Sequence, residues 1–241
     1  MISGTVFHGS RMPLGLWFRA IWWMTNQKQG VSALGLKRAL GLGSYHTAWL
    51  MLQKLRRSMV RPGRDLLTGE VEVDETFLGA PKPGKPGRGA EGKELVVIAV
   101  EVNEKKIGRI RMNWVPDASG PTLLGFVERN VKSGSLIITD GWKSYNGLSK
   151  NGYKHRRIPG ESVGVAELLP HVHRVAGLLK RWILGTLHGG IDKQKHIDRY
   201  LNEYVFRFNR RTSGSRGLLF CRLIENAVAI DGESYKKITR R

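Results

Sequence analysis

Glu70-Val71-Glu72-Val73-Asp74 alternates acidic and apolar residues, the pattern of a strand with one buried face, and it ends on a carboxylate. Downstream, residues 79–93 are rich in Gly, Pro and Lys and read as a loop. Residues 95–102 form a near-continuous apolar run, as a central strand does, and 106–115 alternates behind it. Asn103-Glu104 between them is a tight-turn candidate, so these three strands are expected to form an antiparallel meander. An amphipathic helix over 121–131 precedes Leu136-Ile137-Ile138-Thr139, a short buried strand that runs into Asp140. A short helix near Ser144, a strand over 155–158 and two longer helices near 172–184 and 195–208 follow. The order is three strands, helix, strand, helix, strand, helix. It predicts an α/β fold with a mixed five-stranded sheet flanked by helices.

Upstream, the pattern is helical throughout. Residues 14–24 carry one charge, Arg19, and read as a buried helix with Trp17, Trp22 and Trp23 in the core. A second helix over 31–40 has Ser32 as its N-cap. A third follows Gly41-Leu42-Gly43, with Ser44 as its cap and Ala48, Leu52 and Leu55 on one face. Two short helices around a Gly-containing turn, the second ending in Lys54, Arg56 and Arg57, have the form of a helix-turn-helix. Arg61-Pro62-Gly63-Arg64 reads as a linker. The expected division is a helical DNA-binding domain over 1–64, a catalytic domain over 65–215 and a C-terminal tail over 216–241.

Composition narrows the partner. The chain has 241 residues, 41% of them hydrophobic, enough for a folded core and too many for a disordered chain. Its longest apolar stretch, 95–100, falls far short of the ~20 residues of a membrane span, so no membrane partner and an intracellular location are expected. The lone Cys221 can form neither an internal disulfide nor a Cys-based zinc site, and is expected as a small buried hydrophobe. Forty Lys and Arg stand against twenty Asp and Glu, a formal charge of +20. Ten of the basic residues fall in the first 64 positions, where no acid occurs. A polyanion is the natural partner; such charge alone also fits ribosomal, RNA-binding or membrane-surface proteins, and it favours nucleic acid.

Two aspartates stand at predicted strand ends, Asp74 and Asp140. A carboxylate at the end of an apolar strand is costly to bury unpaired but tolerable beside a cation. Two on neighbouring strands could hold Mg²⁺ or Mn²⁺ in a two-metal site for phosphodiester cleavage or transfer. The plainer alternative is that each caps a turn, since Asp140-Gly141 is a common turn dipeptide. Glu70 and Glu72 share a strand face with Asp74, so Glu72 could line the site, with a solvated edge as the plainer expectation. Gly79-Ala80-Pro81-Lys82-Pro83-Gly84-Lys85-Pro86 nearly spells a phosphate-binding loop. Pro86 stands where Ser or Thr should meet Mg²⁺, and Pro81 and Pro83 remove amide donors, so nucleotide hydrolysis is rejected. Lys82, Lys85 and Arg88 could instead grip DNA phosphates. His171 and His173 have no third zinc ligand close in sequence. Arg207, Arg210 and Arg211 end the last long helix, as a backbone contact to DNA or as a solvated helix end.

Four segments together resemble a known family: Val71-Glu72-Val73-Asp74-Glu75-Thr76, Thr139-Asp140-Gly141-Trp142-Lys143-Ser144-Tyr145, Leu179-Lys180-Arg181-Trp182-Ile183-Leu184-Gly185-Thr186, and Tyr204-Val205-Phe206-Arg207-Phe208-Asn209-Arg210-Arg211. In this order and spacing they look like a bacterial transposase of the insertion sequence 1595 family, over nearly the whole chain. The resemblance implies an RNase H-like catalytic domain and a DDE-type reaction. Metal-dependent hydrolysis frees a 3′-hydroxyl at the element end, and that hydroxyl attacks target DNA. It places the first two metal ligands on Asp74 and Asp140. The third position, seven residues before a lysine, falls on His173 with Lys180; Glu161 and Glu167 are rival third ligands. Imidazole suits Mn²⁺ better than Mg²⁺, and His173 could also serve without direct ligation. Lys180, two turns further along the same helix face, would meet a phosphate. The residues expected to touch DNA are Lys37, Arg38, Lys54, Arg56, Arg57, Lys82, Lys85, Arg88, Arg181 and Arg210.

The resemblance further implies transposon ends and target DNA as partners, a homo-oligomer, and a nucleoid-associated place in the bacterial cytoplasm. One departure stands out. Members usually carry a zinc ribbon before the helix-turn-helix, whereas this sequence has no Cys there, and Gly4-Thr5-Val6-Phe7-His8-Gly9 resembles the stretch just after that ribbon. The alternatives are therefore a truncated or repurposed DNA-binding protein that no longer cuts, and an RNase H-like nuclease that leaves free ends unjoined.

Overall fold

A computed structural model of the chain describes residues 2–79, 93–158, 169–187 and 194–239. In chain order the elements are α1 (Leu14–Asn26), α2 (Ala33–Leu40), α3 (Tyr45–Ser58), β1 (Glu70–Leu78), β2 (Glu94–Asn103), β3 (Lys106–Val115), α4 (Gly120–Asn130), β4 (Leu136–Thr139), β5 (Lys154–Arg157), α5 (Pro170–Leu187), α6 (Gln194–Phe208), α7 (Arg216–Ala229) and α8 (Tyr235–Thr239). They fall into two compact units, Met1–Arg64 with Asn202–Arg241, and Asp65–Leu201.

The second unit holds the sheet. Its strand order is β3-β2-β1-β4-β5. β1 pairs antiparallel with β2, and β2 with β3, while β4 lies parallel to both β1 and β5. The meander closes through Glu104 and Lys105, both left-handed at φ 47° and 67°. Two consecutive positive φ values give the tight turn whose twist matches that of the strands it joins. Burial explains the apolar run of β2. Val97 and Ala99 pack with Val71 and Val73 of β1 against Leu123, Phe126 and Val127 of α4. Val96, Ile98 and Val100 are buried on the opposite face, where directly opposed strand residues put them beside Thr76, Asp74 and Glu72. A strand covered on both faces has no polar side to show. The result is a mixed five-stranded sheet flanked by helices, as the pattern of strands and helices predicts.

The first unit is all helical within the described residues. Ser32 Oγ accepts from the Gly35 amide at 3.0 Å and Ser44 Oγ from the His46 amide at 3.2 Å, so both expected caps form. Gly41 ends α2 at φ 64°, where a Cβ would be strained. The core gathers Trp17, Ile21 and Met24 of α1, Leu36 of α2, Met51, Leu52 and Leu55 of α3, and Phe206 and Leu223 from the C-terminal helices. Trp22 and Trp23 depart from expectation, at 49% and 38% exposed. The buried stripe of α1 is Trp17, Ala20, Ile21 and Met24, and the helical period turns positions 22 and 23 off it. Cys221 is exposed for the same reason, because α7 buries Leu219, Leu223, Asn226 and Ala227. Residues 216–241 thus carry two helices, of which α7 contributes to this core.

Candidate active site

The site begins with register. β1 and β4 pair in parallel with Val71 opposite Ile137 and Glu72 opposite Ile138. β4 ends at Thr139. Continuing the same register brings Asp140, the next residue, level with Asp74. Asp74 thus stands in the middle of β1, which runs on to Leu78 instead of ending at the carboxylate as its sequence pattern suggested, and Asp140 lies just past the C-terminal end of the parallel β4.

A helix supplies the third group. α5 buries Val172, Val175, Leu179 and Ile183, and its first turn comes against β1. There His173 Nε2 donates to Asp74 Oδ2 at 3.2 Å. Asp74 is thereby the meeting point of two expected site residues. Burial raises its carboxyl above the usual range, and the negative charge of Asp140 raises it further. The Glu75 amide and His173 oppose that rise without cancelling it. Asp140 also plays the plainer role weighed for it, since its Oδ1 accepts from the Trp142 amide at 3.0 Å and closes a turn. Trp142 is anchored in its turn by Nε1 donating to the Ala118 carbonyl at 3.4 Å.

Three further residues brace the site. Glu72, expected on a solvated edge, is only 5% exposed. Its Oε2 accepts from the backbone N–H groups of His171 and Val172 at 2.9 and 2.8 Å, and its Oε1 meets His171 Nδ1 at 2.7 Å. Burial works to lower the His171 imidazole, but its bonds to Glu72 and to the Lys105 carbonyl raise it above the ordinary histidine value. From the other face of the sheet, Tyr145 donates its hydroxyl to Glu75. Burial, then the charge of Glu75, keeps that phenol protonated far above its usual range.

Among the described residues, no three His, Cys, Asp or Glu side chains gather closely enough to hold an ion by themselves. The donor chemistry at Asp74 nevertheless fits a divalent cation. Two carboxylates whose charges disfavour one another, with an imidazole beside them, are eased by a positive charge between them. Oxygen donors of this kind suit Mg²⁺ or Mn²⁺, and imidazole shifts the balance towards Mn²⁺.

The basic residues divide. Lys180 is exposed on α5, two turns beyond His173, and Arg181 beside it is exposed. Arg38 is exposed and Lys37 half-buried on α2. Arg56 is not available to a phosphate: it is 1% exposed, its Nε bonds Glu203 at 2.7 Å, and its Nη2 bonds the Val31 carbonyl at 3.0 Å. Lys54 donates to the Val6 and His8 carbonyls, and burial lowers its ammonium. Arg57 donates to the Asp231 carbonyl, and Arg210 lies over the Phe206 ring at 4.1 Å. Lys82, Lys85, Arg88, Glu161 and Glu167 lie outside the described residues. The sequence offered no sign of the Glu72 contacts or of the Glu203–Arg56 pair, whose partners are distant along the chain.

Strand order and strand directions define the class, an α/β domain with a mixed five-stranded sheet in which β1, carrying Asp74, runs parallel to β4, the strand that leads into Asp140. Residues 66–209 match the ISXO2-like transposase domain, and the chain belongs to that family. It is similar to an uncharacterized transposase-like protein of Haemophilus influenzae (strain ATCC 51907 / DSM 11121 / KW20 / Rd), 28% identical over 118 residues that span 47% of this chain and 92% of the relative. A chain in a crystal structure of a pre-cleavage Mos1 transpososome overlays 94% of this chain and 80% of its own. That overlay has 12% identity and a TM-score of 0.29, too loose to add to the strand order. Among the described residues no helix is long and apolar enough to cross a membrane.

Proposed function

We propose that this protein is a DDE-type transposase that cuts and joins DNA strands, with Asp74 and Asp140 as the residues that hold its divalent cations. The observation that carries the reading is the β1–β4 register, which continued by two residues brings Asp140, just past β4, level with Asp74 on β1, within a family of transposase domains. Bound Mg²⁺ or Mn²⁺ would supply charge neutralisation and a more acidic water at a phosphodiester.

The side chains divide the remaining work. His173 holds Asp74 in place from α5, and its imidazole is the third donor open to a cation. Lys180 lies exposed along the same helix, placed for a DNA phosphate. Water attacks phosphorus at the element end, the P–O3′ bond breaks, and a 3′-hydroxyl is freed. That hydroxyl then attacks a target phosphodiester, forming one P–O bond as another breaks. α2 and α3 form a helix-turn-helix within a DNA-binding domain over 1–64, with Lys37 and Arg38 as backbone contacts. Catalysis falls to the sheet unit, Asp65–Leu201, which ends earlier than the 65–215 expected from the sequence because residues 202–215 belong to the helical unit. The working form is a homo-oligomer on two DNA ends.

Incubating purified protein with supercoiled DNA carrying the element's own ends, in Mn²⁺ or Mg²⁺, tests the reading. Nicking that needs the metal and disappears in Asp140→Asn supports it. DNA retention without nicking identifies a protein that only binds DNA, and nicks that are never joined to a target identify a nuclease.

A further inference from the structure

We infer that Glu72 and His171 are positioning residues of this site, with Glu72 capping the start of α5 and so setting His173 against Asp74. The inference rests on the reading of Asp74 and Asp140 as the pair that holds the cation.

The geometry is a ladder of two rungs between β1 and α5. Glu72 and Asp74 are two apart on the strand and so share a face. His171 and His173 are two apart at the start of the helix. Glu72 meets His171 at 2.7 Å and Asp74 meets His173 at 3.2 Å. The first rung is the stronger, because Glu72 also accepts two backbone N–H groups from the first turn of α5. Those groups have no partner within their own helix. α5 brings no acid to that turn, so strand β1 supplies the carboxylate that it lacks. His171 is held on its other side as well, with Nε2 at 3.1 Å from the Lys105 carbonyl in the β2–β3 turn. Strand, turn and helix thus meet at the Glu72–His171 pair. The second rung is longer and more exposed, and it is the one that carries the chemistry. Residues that orient metal ligands in this way typically change metal affinity 10–100-fold when removed.

Three variants of the full chain test the inference: Glu72→Ala, Glu72→Gln and His171→Ala, beside the parent and Asp74→Asn. Amide hydrogen exchange over 169–175 is followed without metal. Mn²⁺ affinity is measured by the paramagnetic resonance of the free ion, and DNA affinity at fixed salt. In Glu72→Ala, exchange at the start of α5 should quicken at least tenfold and Mn²⁺ affinity fall about tenfold, with DNA affinity unchanged. Glu72→Gln keeps acceptor oxygen and should fall between parent and Ala. If Glu72→Ala does not fold, His171→Ala and Glu72→Gln decide, each with at least a threefold loss of Mn²⁺ affinity. Unchanged exchange, or Mn²⁺ affinity within twofold of the parent, overturns the positioning role. A parent whose Mn²⁺ binding survives Asp74→Asn overturns the cation reading itself, and the positioning role with it.

Discussion

Tyr145 and Glu75 tie the turn that follows β4 to β1, from the face opposite α5. Glu75 follows Asp74 on β1, Tyr145 lies just past Asp140, and the buried Tyr145 hydroxyl donates to the Glu75 carboxylate. The charges of Asp74 and Asp140 also raise that phenol. Tyr145→Phe keeps the ring in its cavity and deletes the donor. The expected cost is about 1 kcal/mol, the net worth of such a bond where the acceptor keeps some solvent. Metal-dependent nicking should fall while DNA affinity holds. Urea unfolding beside a nicking assay measures both, and an unchanged variant in each assay would show the bond to be incidental.

Glu101 gives the catalytic unit a dependence on acid. Burial alone would raise its carboxyl, but Arg109 at 2.7 Å and the Thr68 amide outweigh burial and hold it at about 2. The folded value lies below the unfolded one, so the stabilisation is full above pH ~4.5 and is lost as pH falls towards 2. Arg109 is 37% exposed, and solvent screening reduces the effect to about 1–2 kcal/mol. Glu101→Gln should lower stability at pH 7 by that amount and flatten the loss between pH 5 and 2. Urea midpoints of parent and variant at pH 7, 4 and 3 provide the check. Parallel curves would refute it.

In the first unit, Glu203 is wholly buried between two guanidinium groups, with Arg56 at 2.7 Å and Arg207 at 2.8 Å. Burial raises its carboxyl, but the charges of Arg56 and Arg207 bring it below the usual range. The same arginines bond the carbonyls of Val31 and Gln27, at either end of the α1–α2 connection. Removing one partner from such a network strands the remaining charges. Glu203→Gln should therefore cost about 3–5 kcal/mol. Arg56→Gln should unfold the helical unit rather than merely weaken DNA binding. Thermal melts followed by far-UV circular dichroism read both, and a Tm within a degree or two of the parent for Glu203→Gln would contradict the network's role.

Periodicity and caps made most of the fold legible. Alternation marks β1, the apolar run marks β2, and Ser32 and Ser44 cap α2 and α3 as their residue types suggest. Asp74 and Asp140 could be singled out because an acid ending an apolar strand is chemically unusual. Glu72 could be placed on the face of Asp74 but not matched to its partner, because an acid alternating along a strand looks the same whether it faces water or caps a helix about a hundred residues away. Arg56 misled for a related reason. The sequence displays its charge, yet Glu203, which takes that charge out of solution, lies far along the chain. Trp22 and Trp23 show the limit of composition, since an almost uncharged helix does not reveal which of its sides the core covers.

The basic side chains that remain accessible define the last prediction. Lys37, Arg38 and Arg181 are exposed or half-buried, whereas Arg56 and Lys54 are spent on protein acceptors. Neutralising a phosphate contact weakens binding to all DNA sequences and removes about 0.9 from the slope of log affinity against log salt. Lys37→Ala with Arg38→Ala should therefore reduce that slope by about 2 and leave the melting curve unchanged. Lys54→Ala should leave the slope unchanged and lower Tm, because its ammonium holds the Val6 and His8 carbonyls. Titrations of fluorescent duplex DNA between 50 and ~300 mM salt separate the two classes. If Lys54→Ala alters the slope while the double variant does not, α3 rather than α2 meets the backbone, and the exposed face of α2 has another purpose.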